Sequence, residues 1–155
     1  MYIVSGCLMG IPCKYNGGTN TVSVLLDYLK GKSYVTVCPE TMGGLKAPRP
    51  PAEIRGDLVV NELGEDLTES FRLGAEKAYE RARQKAEEAG EKLELAILKA
   101  RSPSCGAGLI YDGTFSGTLT EGDGYFAALL MEKGIPVMTE EEFVKQFVDA
   151  EKEVK

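Results

Sequence analysis

The sequence predicts an α/β fold, a single domain over residues 1–155 built as a three-layer sandwich around a mostly parallel, Rossmann-like sheet. Three observations carry that expectation. Short apolar runs rich in β-branched residues recur near 2–6, 33–38, 93–98 and 135–138, with little alternation, as expected of strands buried on both faces. Helical patterning lies between them. The length of 155 residues, 43% hydrophobic and 27% charged, suits one core, with no internal repeat and no linker-like stretch.

Taken in order, the first strand near 2–6 runs into Cys7-Leu8-Met9-Gly10-Ile11-Pro12-Cys13-Lys14-Tyr15-Asn16-Gly17-Gly18. Asn20 or Thr21 is expected to cap a helix reaching about 29, stopped by Gly31. A second strand covers roughly 33–38. Four prolines and two glycines between 39 and 54 then argue against regular structure, and a loop of that length in a compact domain is expected to line a site. A short edge strand follows near 57–60. Asp66 with Glu69 forms a capping-box pattern for a helix over roughly 67–89, in which Phe71, Ala75, Ala78, Tyr79, Ala82, Ala86 and Ala89 share one face. Gly90 ends it. A third strand at 93–98 precedes Arg101-Ser102-Pro103-Ser104-Cys105-Gly106. The run 110–115 reads as a hairpin with an Asp-Gly turn. A helix at about 123–133, a strand at 135–138 and a charged helix from about 140 close the chain.

The formal net charge of −6 argues against a DNA-backbone partner, which needs a basic footprint. No apolar run approaches membrane-spanning or signal-peptide length, so the expectation is a cytoplasmic protein with no membrane partner. There is no histidine, which removes the usual general base and the commonest metal ligand. Chemistry must rest on Cys, Ser, Glu, Asp, Lys or the backbone.

Three of the four cysteines, Cys7, Cys38 and Cys105, follow strand-like runs directly or within one turn. In parallel sheets ligands sit beyond the carboxyl ends of the strands, so these thiols are placed to converge on a shared metal site. Thiolates are soft ligands that suit zinc or an iron–sulfur cluster, and three of them leave one coordination position open. Cys13 is open to three roles: a fourth ligand, a redox partner of Cys7, or a structural residue.

The segment from Val4 to Gly18 resembles the opening signature of the 2-thiouracil desulfurase family. Val37-Cys38-Pro39-Glu40, Gly43-Gly44-Leu45 with Pro48-Arg49-Pro50, and Leu98-Lys99-Ala100-Arg101-Ser102-Pro103-Ser104-Cys105-Gly106 resemble its later blocks, in the same order over nearly the whole chain. Departures are small: Lys14 and Asn16 stand where Arg and Asp are frequent. The resemblance implies a 4Fe–4S cluster bound by Cys7, Cys38 and Cys105, with an open iron that takes sulfur from a thiolated pyrimidine. The implied reaction is hydrolytic C–S cleavage of a thiolated uracil base, nucleoside or nucleotide, with release of sulfide. Beside the thiols, Glu40 is a candidate to activate water or protonate the ring, or else a solvated loop carboxylate. Ser102 and Ser104 are candidate donors to substrate or cluster, with turn formation beside Pro103 as the alternative. Arg49 and Arg101 are candidates for an anionic group, and Gly43 and Gly44 for close backbone approach to a ligand. Two other readings of the thiols are a zinc-binding module closed by all four cysteines and a thiol-redox protein using Cys7 and Cys13.

Overall fold

The structure is a computed structural model that describes the backbone of residues 1–154 and the side chains of residues 1–147. Its centre is a four-stranded, wholly parallel sheet in the order β2-β1-β5-β8, formed by Tyr34–Val37, Tyr2–Ser5, Leu95–Leu98 and Val137–Thr139. Tyr2 pairs with both Tyr34 and Leu95, so β1 is enclosed on either side. Ile3, Val4, Ala96, Ile97 and Leu98 are fully buried, which explains the missing alternation in these strands.

The strand order reverses at β1, with β2 added on one side and β5 and β8 on the other, and right-handed crossovers therefore put helices on both faces. α1 (Ser23–Leu29) and α5 (Glu140–Val154) cover one face, packing Leu25, Leu29 and Phe143 on Val4 and Ile97. α3 (Thr68–Ala89) and α4 (Tyr125–Glu132) cover the other, packing Ala75, Ala78, Ala82, Phe126 and Leu130 on Ile3, Ala96 and Leu98. Each large apolar side chain buried this way contributes about 1.5–3 kcal/mol. Two small antiparallel sheets stand outside these layers: β3 (Ala52–Arg55) with β4 (Leu58–Asn61), and β6 (Leu109–Tyr111) with β7 (Leu119–Glu121). Among the described residues no helix is long and apolar enough to cross a membrane.

Several local expectations are corrected. The stretch 39–54 is not free of regular structure. Pro39 opens a one-turn helix, α2 (Pro39–Met42), where its missing N–H has no helical partner to lose, and Ala52–Arg55 finds an antiparallel partner in β4. α1 begins at Ser23 after Val22 with no side-chain cap, so neither Asn20 nor Thr21 performs that role. The Asp66–Glu69 capping box does not close: Asp66 accepts from the Thr68 N–H at 2.9 Å, but Glu69 turns to Arg72. The second hairpin is wider than a tight Asp-Gly turn, because β6 and β7 end at Tyr111 and Leu119 and residues 112–118 form its tip.

α2 and α3 meet backbone to backbone. A Cβ built on Gly74 would lie 1.9 Å from the Pro39 carbonyl oxygen. Gly74→Ala is therefore expected to push α2, and with it Cys38 and Glu40, away from the sheet, at a cost of about 1–3 kcal/mol. A fall in thermal midpoint measures this, and an unchanged midpoint would show that the close approach is not maintained.

Candidate active site

Beyond the carboxyl ends of β1, β2 and β5 lies a cavity of about 570 Å³, at the point where strand order reverses. Cys7, Cys13, Cys38 and Cys105 all line it. Each strand delivers its thiol differently. β1 passes into a single 3₁₀ turn (Gly6–Met9) whose Cys7 carbonyl accepts from Asn20 N–H at 2.8 Å. β2 ends at Val37, and the next residue, Cys38, caps α2 and has a carbonyl that accepts from Met42 N–H. β5 leads into the Ser-Pro-Ser turn. There Ser102 Oγ accepts from the N–H groups of Ser104 at 3.1 Å and Cys105 at 3.0 Å. The first turn of α4 donates into the same loop: Tyr125 N–H to the Pro103 carbonyl, and Phe126 and Ala127 N–H to that of Ser104. These bonds satisfy helix-end donors for which α4 has no side-chain cap. From the other side Glu140, at the start of α5, accepts from Ala100 N–H at 2.9 and 3.1 Å. The thiol turn is thus fixed by both helical layers.

The thiols are electrostatically unequal. The Cys13 side chain is in hydrogen-bond reach of Cys7 and Cys38, and its single proton can serve one thiolate at a time. This bond is the largest cause lowering both, Cys38 to about 5, with Thr41 Oγ1 at 3.2 Å from Cys38 Sγ adding to it. Cys13 itself is pushed up by the same two bonds. Burial pushes Cys105 up to about 12. A bound cation is what holds such a thiol as thiolate.

Glu40 lies inside, on α2. Its Oε2 accepts from Ser104 Oγ at 3.0 Å, and Ser104 Oγ also lies 3.6 Å from Cys105 Sγ and 3.0 Å from Ser102 Oγ. Burial raises the Glu40 carboxyl, and the charge of Arg49 and the Ser104 hydrogen bond only partly offset it. Arg49 lines the cavity, but its guanidinium is engaged by Glu40 Oε1 at 3.3 Å and by the carbonyls of Cys13 and Lys46 at 3.0 and 3.2 Å. Arg101 also lines the cavity and pairs with Glu141. Gly43 and Gly44 do not line it: a Cβ on Gly43 would lie 2.0 Å from the Ser70 carbonyl oxygen, so that glycine serves the α2–α3 contact.

Sequence reasoning passed over other lining residues. Lys99 sits at the end of β5 with Nζ between the Ala100 carbonyl and Glu140. Glu53, Tyr111 and Phe115 come from the two hairpins. Lys99 adjoins the thiol turn and was within reach of inspection, but nothing local announces that distant hairpins fold over the thiols.

The donor set distinguishes the metals. Among the described residues no group of three His, Cys, Asp or Glu is close enough to hold one metal ion. The arrangement does not favour a closed zinc tetrahedron of four thiols. A cubane spreads its thiolates over separate irons, and three thiols around one roomy cavity fit that demand.

The chain matches the model of a family described as 2-thiouracil desulfurase over residues 2–142. It is 41% identical, over 152 residues, to the uncharacterized protein YbbK of Bacillus subtilis (strain 168), covering 92% of this chain and 97% of that protein. A solved structure of a 4Fe–4S-dependent thiouracil desulfidase, TudS, superposes with a TM-score of 0.81 at 41% identity, covering 97% of both chains.

Proposed function

This chain belongs to the 2-thiouracil desulfurase family, and on that premise we propose that it is a 4Fe–4S-dependent thiouracil desulfidase acting as one domain over residues 1–155. The reaction exchanges C=S for C=O: water supplies the oxygen, sulfur leaves as sulfide, and no net electron transfer is needed. The observation that carries the reading is the opening of three strand-end thiols onto one cavity beside the Glu40–Ser104 pair.

Cys7, Cys38 and Cys105 would hold the cluster, leaving Cys13 to offer its one proton to either Cys7 or Cys38. When bound, a cluster with three thiolate ligands supplies Lewis acidity matched to a soft thiocarbonyl sulfur. The chain's own residues handle protons and position. Glu40, raised by burial, is suited to take a proton from water and return it to the departing sulfur or ring nitrogen. Ser104 joins that carboxylate to the thiol side of the cavity, and Ser102 fixes the turn. Arg49 holds Glu40 by its second oxygen. The substrate is a thiolated pyrimidine. The net charge of −6 supports a small molecule over a DNA partner, and four thiols without a disulfide framework support a reducing, cytoplasmic setting.

The test is anaerobic reconstitution with iron and sulfide, iron counting, and addition of 2-thiouracil. About four irons per chain, loss of the thione absorption and one sulfide per uracil formed are expected. A fully loaded protein that releases no sulfide overturns the assignment.

A further inference from the structure

We propose that Phe115 is the aromatic face against which the flat thiopyrimidine ring packs, with Glu53 and Arg55 as the positioning residues that hold it there. The proposal rests on the desulfurase reading and names the contact that orients its substrate.

Among the described residues only two non-glycines have positive φ, Arg101 at 65° and Phe115 at 56°, and both line the thiol cavity. A bulky residue keeps that conformation only where its surroundings fix it. Here they do so from β3. Glu53 Oε1 accepts from the N–H groups of Gly113 at 3.0 Å and Phe115 at 3.1 Å. Arg55 donates through Nε and Nη2 to the Gly113 carbonyl at 3.1 and 2.6 Å. The hairpin tip is seated so closely that a Cβ on Gly113 would lie 2.8 Å from the Ile54 carbonyl oxygen.

Closing the turn does not require an aromatic at this position. Gly113 and Gly117 already supply positive φ in the same tip, and a glycine or asparagine at 115 would turn without strain. What Phe115 adds is a purely apolar ring, held by the hairpin tip, on the wall of a cavity whose other aromatic lining residues are the phenols Tyr15 and Tyr111. A thiopyrimidine has polar edges and flat π faces. Ser104 and Glu40 answer the edge, and an aromatic side chain answers the face.

The experiment uses cluster-loaded enzyme with 2-thiouracil. Phe115→Ala is expected to raise KM about 10- to 100-fold, with kcat within a few-fold and iron per chain unchanged. Phe115→Leu, which keeps bulk without a ring, carries the same comparison if the alanine protein does not fold, and Phe115→Tyr should restore KM. Glu53→Ala should raise KM in the same way, Glu53→Gln, which keeps an acceptor oxygen, should not, and the Phe115→Ala/Glu53→Ala double change should be little worse than either alone. Because the chain has no tryptophan, Phe115→Trp provides a reading independent of turnover: its fluorescence should be quenched saturably by the ligand. A wild-type KM in the alanine and leucine proteins, or no quenching in a Phe115→Trp enzyme that turns over, overturns the proposal. A loaded wild-type chain that neither binds nor desulfurises thiouracil overturns the desulfurase reading and this contact with it.

Discussion

Replacing Cys7, Cys38 or Cys105 by alanine is expected to lower cluster occupancy and desulfurase activity together, by at least about 100-fold, since even outer-shell changes at metal sites cost 10–100-fold. The three thiols come from separate strand ends, so each loss removes the ligand that β1, β2 or β5 supplies, and Cys13 is the other thiol on the cavity. Cys13→Ala should be milder. Its thiol favours thiolate at Cys7 and Cys38 by hydrogen bonding, and removing it weakens that preference while leaving three ligands in place. Iron per chain and visible absorption check both expectations. A fully loaded, active Cys38→Ala protein would sink the ligand assignment, and equal loss in Cys13→Ala would make Cys13 a ligand.

What the sequence made legible follows from how local each signal is. Strands such as Leu95–Leu98 announce themselves because a strand buried on both faces has to be continuously apolar. The parallel order then places Cys7, Cys38 and Cys105 at one end without further information. α3 was readable from its alanine stripe, which packs on α4 and the sheet. Pairings between distant segments were not readable. The prolines before it hid β3, although its partner β4 lies just across the two-residue turn Gly56-Asp57, a Gly-Asp pair that is itself a hairpin signal. Arg49 read as a free cation because Glu40, its partner, is nine residues away on an unforeseen helix turn. Phe115 read as part of a hairpin, and its place on the cavity wall depends on Glu53 and Arg55, about sixty residues earlier. The thiols could thus be placed from one dimension, while the groups that hold Glu40 and line the rest of the cavity required three.

Glu40→Gln is expected to lower kcat by about 10²–10⁴-fold while leaving iron per chain unchanged. The amide keeps the side chain's shape and one acceptor oxygen for Arg49, and the Ser104 hydroxyl can rotate to accept where it formerly donated. What is lost is a group able to gain and release a proton. Glu40→Ala is the poorer test, because the Arg49 side chain, only 9% exposed, would be left as an unpaired buried charge, at about 3–5 kcal/mol in stability. Ser104→Ala separates proton exchange from its relay. It removes the donor to Glu40 and the contact with Cys105 but leaves the carboxylate, and about 10- to 100-fold in kcat is expected, smaller than the glutamine effect. If Glu40→Gln turned over thiouracil within a few-fold of wild type, the buried carboxylate would be a structural partner of Arg49, and proton exchange would have to come from water alone. If Ser104→Ala fell as far as Glu40→Gln, the two would act as one unit, and the hydroxyl would be the group that meets the substrate.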